Sequence, residues 1–319
     1  MAIITGTTQT YQQIGIREDL SNMIYDLSKE DRPFMTSIGR GKAKNTKPEW
    51  QIDALAAADE TNAVIEGDEA TFDSAVATTR LNTFTQIMDK AVVVSDTNNA
   101  VDIAGQSESL AFQADKRTRE LTRDMEKRLC GNFLSAVGAT GTARQTAGAL
   151  AWLTSNTSFG AGGANGGFSA SIVSAATNGT QRAFTEGLLK PVLKLVYDNG
   201  EARPTTILVG SAQKQVFSTF AGIAALSNNI MNAKDSVTVV GAAELYKGDF
   251  GVYRAVPSPF MSARDAFIYD PKFWEVLYLQ PFAVTALART GHAEKKLLKV
   301  EFGLKCSNEK SSGVVRDLT

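Results

Sequence analysis

The chain opens polar, with Thr and Gln prominent through residues 1–20 and no apolar rhythm, so an arm is expected there instead of a core element. Leu20, Ile24 and Leu27 follow at helical spacing. The short helix they predict should stop near Asp31, because Pro33 disfavours helix in the residue before it. Residues 49–53 (EWQID) then start a strand, and residues 78–95 are rich in Thr, Val, Phe and Ile, a composition suited to strands. Residues 42–92 therefore read as one long hairpin. Its large apolar residues are few: Trp50, Ile52, Leu55, Phe72, Leu81, Phe84 and Ile87. A two-stranded ribbon with so small a core is marginal alone and needs a surface to lie on, in its own chain or a neighbour's.

A long helix is expected from about Ser107 to Val137, roughly 45 Å at 1.5 Å per residue. Its centre, residues 114–129 (ADKRTRELTRDMEKRL), carries ten charges in sixteen positions. The weakly or strongly apolar positions are Ala111, Ala114, Thr118, Leu121, Met125, Leu129 and Phe133, a mean step of about 3.67 residues. A strict heptad from Ala114 would put Arg117, Asp124 and Arg128 in the seam, which excludes a coiled coil. One narrow stripe on an otherwise wet helix predicts a helix lying across a sheet or a domain edge.

Residues 138–182 change to Gly, Ala, Ser, Thr and Asn, with GAGGANGG at 160–167, and read as a flexible, loop-rich insertion with one ordered piece around Leu150, Trp152 and Leu153. An α/β alternation follows. Residues 185–200 predict a helix stopped by Gly200, 205–210 a buried strand, and 211–220 a helix opened by Ser211 as N-cap. Residues 237–240, 250–256 and 265–270 read as strands, and 273–302 as Val-, Leu- and Phe-rich β structure.

Charge narrows the function classes. The 33 basic and 34 acidic residues give a net charge of −1, against the basic excess of a dedicated DNA-binding protein. Residues 1–100 hold 15 acids and 9 bases, and residues 183–319 hold 13 and 16. An acidic first third and a mildly basic remainder are compatible with head-to-tail subunit contacts. Two clusters stand out: Arg40, Lys42, Lys44 and Lys47, then Asp59, Glu60, Glu66, Asp68, Glu69 and Asp73 with no base among them.

Candidate chemistry is sparse. His292 is the only histidine and sits in a polar turn without a neighbouring nucleophile motif. Cys130 and Cys306, the only cysteines, read as two buried thiols of a reduced protein and cannot make a zinc site without histidines. The run from Gly160 has Asn165 where a dinucleotide fingerprint needs its third glycine. Around Gly41-Lys42 a phosphate loop would need glycine and hydroxyl positions that Thr36 and Ala43 occupy. The acidic run lacks Ca²⁺-loop spacing. No catalytic, cofactor or metal residue is nominated. No signal peptide or membrane-length apolar stretch is present, and a soluble protein of the compartment where it is made is expected.

The order of parts (polar arm, short helix, long weakly supported hairpin, long edge helix, α/β domain, returning strands) resembles the Hong Kong 97-type major capsid fold of tailed phages. The local residues Arg32-Pro33-Phe34, Ile38-Gly39, Lys44, Glu49-Trp50, Glu66-Gly67, the helix from Gln113 to Glu126, Tyr197 to Pro204 and the ending Gly313 to Leu318 resemble a family of phage major head proteins. The resemblance implies an α+β chain with an N-terminal arm and short helix (1–40), an extended loop (41–92), a peripheral domain with spine helix (93–137 and 266–319), an insertion (138–182) and an axial domain (183–265).

It also implies a non-catalytic shell subunit, hundreds of copies of which form pentameric and hexameric capsomers around double-stranded DNA. The expected partners are other copies of the chain, a separate scaffolding protein, a portal, a decoration protein and non-specifically held DNA, with no membrane. The protein would be assembled in the host cytoplasm and reside in the virion. The acidic cluster and the basic cluster are the inter-subunit candidates, and Ala114, Leu121, Met125, Leu129 and Phe133 the seat of the spine helix. An encapsulin-like compartment, an α/β enzyme with a carboxylate site and a nucleic-acid-binding module are the alternatives.

Overall fold

The protein is described by a computed structural model, covering residues 31–69, 72, 74, 76–101, 109–200, 203–220 and 245–319. The polar arm, the helix expected over Leu20 to Leu27, Asp73 and the strand expected at 237–240 lie outside these residues.

The chain begins with helix α1 (Pro33–Ser37) and strand β1 (Gly39–Lys42). Pro33 opens α1, because at the first helical position its missing N–H and fixed φ cost nothing. Strands β2 (Glu49–Ile52) and β3 (Thr79–Asn82) pair antiparallel, followed by β4 (Gln86–Ser95), α2 (Asp96–Ala100) and the long helix α3 (Ser109–Cys130). The expected hairpin over 42–92 is thus a four-residue stalk under a long loop. Its two ends, β1 and β4, belong to another sheet. The long helix spans 22 residues, about 33 Å, and ends at Cys130 instead of reaching Val137. Beyond it the chain turns back through Gly138 and Gly141, both at positive φ, and bridges Ala136 to Gln145.

Next come α4 (Ala149–Trp152), β5 (Thr157–Ser158), β6 (Gly167–Ser169), β7 (Ile172–Ser174), α5 (Glu186–Gly200), β8 (Thr206–Val209) and α6 (Ser211–Phe217). Gly210, not Ser211, is the N-cap of α6, and no side chain caps it. Strands β9 (Leu245–Gly248), β10 (Gly251–Pro257), β11 (Ala266–Tyr269), β12 (Trp274–Ala286), β13 (Ala293–Cys306) and β14 (Gly313–Val315) complete the chain.

Two sheets organise these elements. The first has order β1-β12-β13-β4 and is built on the long β12/β13 hairpin, with β1 parallel to β12 and β4 antiparallel to β13. Leu121, Met125 and Leu129 of α3 share one core with Val92, Val94, Leu298, Val300 and Phe302 of this sheet. The second sheet has order β5-β14-β11-β8-β10-β9. Because strand side chains alternate faces, Leu208, Phe267 and Tyr269 enter that first core. Ile207, Val209 and Ile268 enter a second core with Leu189, Val192 and Phe217 of the flanking helices. The second sheet is therefore the wall between two cores. Its central strand β11 pairs with both β8 and β14, so a boundary drawn at residue 265 cuts through hydrogen-bonded strands.

The 138–182 segment is fixed, not flexible. Ala149, Leu150, Ala151, Trp152 and Leu153 are all buried in the first core. Two glycines of the run are packed against backbone: a Cβ on Gly160 would stand 1.9 Å from the Thr180 carbonyl oxygen, and one on Gly166 2.0 Å from that of Ser174, while Gly162 between them faces open space. Here glycine marks close approach of two chain segments.

Candidate assembly site

The described residues of the loop from Asp53 to Thr78 carry no helix or strand. Leu55 and Phe72 are 96% and 97% exposed, and Val64, Ile65 and Val76 are nearly as open. Single exposed apolar residues are ordinary, but five of them in one segment without a core need a covering surface. Asp59, Glu60, Glu66, Asp68 and Glu69 are exposed on the same loop, and none forms an ion pair among the described residues. Asp59 accepts the N–H and the hydroxyl of Thr61 at 2.8 and 2.7 Å, which hold its carboxyl below the usual value and shape a local turn. Gly67 turns the chain at φ +87° with open space around it.

The basic cluster divides. Arg40 and Lys42 lie on β1 at the edge of the first sheet, opposite Val276 and Tyr278 of β12. Lys42, Lys44, Lys47 and Lys305 line a cleft of about 400 Å³ together with Trp50 and Glu49. Lys47 is held by Glu49 at 3.0 Å, Glu49 also by Arg80 at 3.3 Å, and Lys305 by Glu275 at 3.1 Å. Lys42 and Lys44 are exposed and form no ion pair among the described residues. No ion pair among the described residues joins the acidic loop to this cleft within the chain.

The long helix seats on the sheet at both ends of its stripe, through Leu110 at its start and Leu121, Met125 and Leu129 toward its end. Leu121, Met125 and Leu129 are buried, Ala114 and Thr118 half-buried, and Ala111 exposed. Phe133 lies beyond the helix, with the Arg128 guanidinium 4.8 Å above its ring. Much of the surplus charge is used locally: Asp115 pairs with Arg119 at 2.5 Å, Arg117 with Glu120 at 2.6 Å, and Asp124 with Lys90 of β4 at 2.9 Å.

Glu126 is the charge that periodicity concealed. It is fully buried, and its two carboxylate oxygens accept the N–H groups of Phe34 and Met35 at 2.9 and 2.8 Å. It thereby satisfies the first donors of α1, fixing the Arg32-Pro33-Phe34 segment to the long helix. Phe34 then packs edge-on against Phe267, Tyr269 and Trp274. Burial raises the Glu126 carboxyl above its usual value, and the two N–H groups oppose that shift. Its place between Met125 and Leu129, four residues before Cys130, was the available signal. Cys130 and Cys306 are both buried and free, with thiols pushed up by burial.

The chain's last residues hold a second concealed site. Asp317 is buried at φ +58° and accepts Gly160 N–H at 3.1 Å, Gly179 N–H at 2.8 Å and the Arg264 guanidinium at 3.0 Å. Burial pushes this carboxyl up, but the three donors outweigh it and hold it below its ordinary value. Arg316 is also buried and donates to the Leu150 carbonyl. His292 is exposed, with Nδ1 3.3 Å from Asp96. Among the described residues no cluster of His, Cys, Asp or Glu makes a metal site, and no helix is long and apolar enough to cross a membrane.

These surfaces belong to a chain whose residues 3–319 match the family described as SU10 major capsid protein. The chain belongs to that family. It is 26% identical over 351 residues to the major capsid protein of Escherichia phage Phieco32, covering 96% of this chain and 95% of the relative. Its fold is similar to the capsid subunit of cyanophage A-1(L), at TM-score 0.67 and 11% identity over 98% of each chain. It is similar also to the capsid of a native GTA particle, at TM-score 0.61 and 10% identity over 97% and 98%. The fold is the Hong Kong 97-type capsid fold, α+β, and the chain is a phage major capsid protein.

Proposed function

We propose that copies of this chain close, as pentameric and hexameric capsomers, into the icosahedral head of a tailed phage around its double-stranded DNA, without catalysing a reaction. The observation that carries the reading is the 53–78 loop, which presents Leu55, Val64, Ile65, Phe72 and Val76 to solvent on a stalk of two four-residue strands. Such a loop is completed by a neighbouring subunit, and many weak contacts of this kind add up in a closed shell.

In this reading the acidic residues from Asp59 to Glu69, with Asp73, meet the basic cleft of Lys42, Lys44 and Lys47, with Arg40 beside it, on an adjacent copy. The pairs would tune register more than strength. Scaffolding and portal proteins, a decoration protein and the packaged DNA are the further partners, and assembly in the host cytoplasm precedes residence in the virion. The domain roles follow the same reading: arm and short helix (1–40), extended loop (41–92), peripheral domain around the spine helix, and axial domain around residues 183–265, its sheet completed by β11 and β14 from beyond that range.

Sedimentation velocity and negative-stain imaging of the purified protein test the reading. Capsomers or hollow shells are expected. A stable monomer that turns over a substrate would contradict it. Shells that enclose protein cargo and no DNA in cells would assign an encapsulin-like role instead.

A further inference from the structure

The extended loop leaves the body through β2 and β3, and its direction is set at the root, where residues 43–48 meet 83–86. That root is bolted down by polar groups. Thr85 donates its N–H to Thr46 O at 2.9 Å and its hydroxyl to Glu301 Oε1 at 2.6 Å. The same Glu301 oxygen accepts the Arg144 guanidinium at 2.7 Å. Thr146 uses every polar atom it has. Its N–H donates to Gln86 Oε1 at 3.2 Å, and its hydroxyl oxygen accepts Leu304 N–H at 3.0 Å and stands 3.4 Å from the Thr83 hydroxyl. Its carbonyl accepts Arg128 of the long helix through Nε at 2.9 Å and a terminal nitrogen at 2.6 Å.

Thr83, Thr85 and Thr146 are at most 1% exposed, and Glu301 is 5% exposed. Four pieces of chain, namely the loop root, the 144–146 segment, β13 and the long helix, thus meet at one joint made of directed bonds. An apolar joint is held by contacts without preferred direction and can repack into other arrangements that bury the same surface. A buried polar joint has one satisfied arrangement, since every displaced donor or acceptor is left unpaired.

We infer that the joint centred on Glu301 and Thr146 fixes the angle at which the extended loop is presented to the neighbouring subunit, and so sets shell curvature. Glu301, Arg144, Thr85 and Thr146 are positioning residues: they act on the neighbour only through the loop. The inference rests on the shell reading above, and it concerns geometry where that reading concerns assembly as such.

The test compares wild-type chain with Glu301→Gln and Thr85→Val, measuring the shell diameter distribution by electron microscopy alongside the thermal midpoint of the subunit. Leu189→Ala, in the second core and away from the joint, serves as a control for simple destabilisation. The expected result is folded subunits whose yield of wild-type-diameter shells falls at least tenfold, replaced by shells of other diameter or open sheets. Thr85→Val keeps the test decisive if Glu301→Gln does not fold. Arg144→Ala is expected to lower the yield in the same way, and Arg144→Lys, which retains a cation for Glu301, to keep part of the wild-type population that Arg144→Ala loses. Wild-type diameters at unchanged yield in both variants would overturn the inference alone, as would the same shift in diameter from Leu189→Ala. A wild-type chain that forms neither shells nor capsomers would remove the shell reading and this inference together.

Discussion

Two stretches of this chain lack regular strands and helices over most of their described residues, and physically they are opposites. In the 53–78 loop, Leu55 is 96% exposed and the described carboxylates form no ion pair among the described residues; in the 138–182 segment, Leu150 is wholly buried and Gly148, Gly160, Gly166 and Gly179 are wedged against neighbouring carbonyls. Both would be called loops from composition. The difference lies in what completes them. The 138–182 segment is completed inside its own subunit by α3, by the chain's last residues and by Trp50, whose ring lies 5.9 Å from that of Trp152. The extended loop is left for another copy.

Identical substitutions at the two places break the symmetry of their sequences most strongly. Leu150→Ala is expected to cost about 2–5 kcal/mol of subunit stability, because it opens a cavity in the first core. Leu55→Ala should stay within about 0.5 kcal/mol of wild type in denaturant unfolding of the dissociated subunit, yet lower the yield of shells. Equal losses of stability would erase the distinction.

Glycine substitutions sharpen it at a smaller scale. Gly160→Ala forces a methyl into the Thr180 carbonyl and should cost about 1–3 kcal/mol, or more where the backbone cannot yield. Gly67→Ala meets nothing and carries only the penalty of its left-handed φ, about 1 kcal/mol, read by the same unfolding curves.

Glu126 makes a comparable claim about the pinned side of the molecule. Glu126→Ala leaves two buried N–H groups without an acceptor and should cost about 1–3 kcal/mol. Its pH dependence has a definite sign. Between the ordinary carboxylate value and the raised folded value, the folded chain holds a proton that the unfolded chain has released. Stability contributed by this group therefore falls as pH rises through that window. Glu126→Gln keeps an acceptor oxygen and removes this slope, which unfolding curves from about pH 4 to 8 would reveal. A variant with the wild-type slope would refute the assignment.

The smallest effect is expected for the exposed charges. Reversing Asp68 and Glu69 to Lys should leave the subunit unchanged and shift shell formation by about 0–1 kcal/mol per contact, visible mainly as altered salt sensitivity. Shells that form identically at all salt concentrations would exclude the proposed acid–base contact.

The sequence made part of this arrangement legible, for identifiable reasons. The stripe Leu121, Met125, Leu129 was readable because burial on one face imposes a period, and residues 205–210 because a short apolar run bounded by Pro204 and Gly210 marks a strand buried on both faces. The scarcity of large apolar residues around the acidic run showed the extended loop to be short of a core. Glu126, Arg316 and Asp317 stayed hidden because a buried charge is recognised by its partners, and the backbone donors that hold Glu126 lie 91 and 92 residues away and the donors to Asp317 53 to 157. The glycine run was misread for a related reason: composition does not distinguish glycine that gives freedom from glycine that permits contact. The strand pairing at both ends of the expected hairpin was equally non-local, set by β12 and β13 some 200 residues on.

Hydrogen exchange followed residue by residue, on dissociated subunits and on closed shells, tests the central claim most directly. The account predicts that amides of residues 53–78 exchange rapidly in the subunit and become strongly protected in the shell, while those of 148–153 and 313–318 are protected in both. Exchange in 53–78 that is equally fast in subunits and shells would show that no neighbour covers the loop, and would contradict the account.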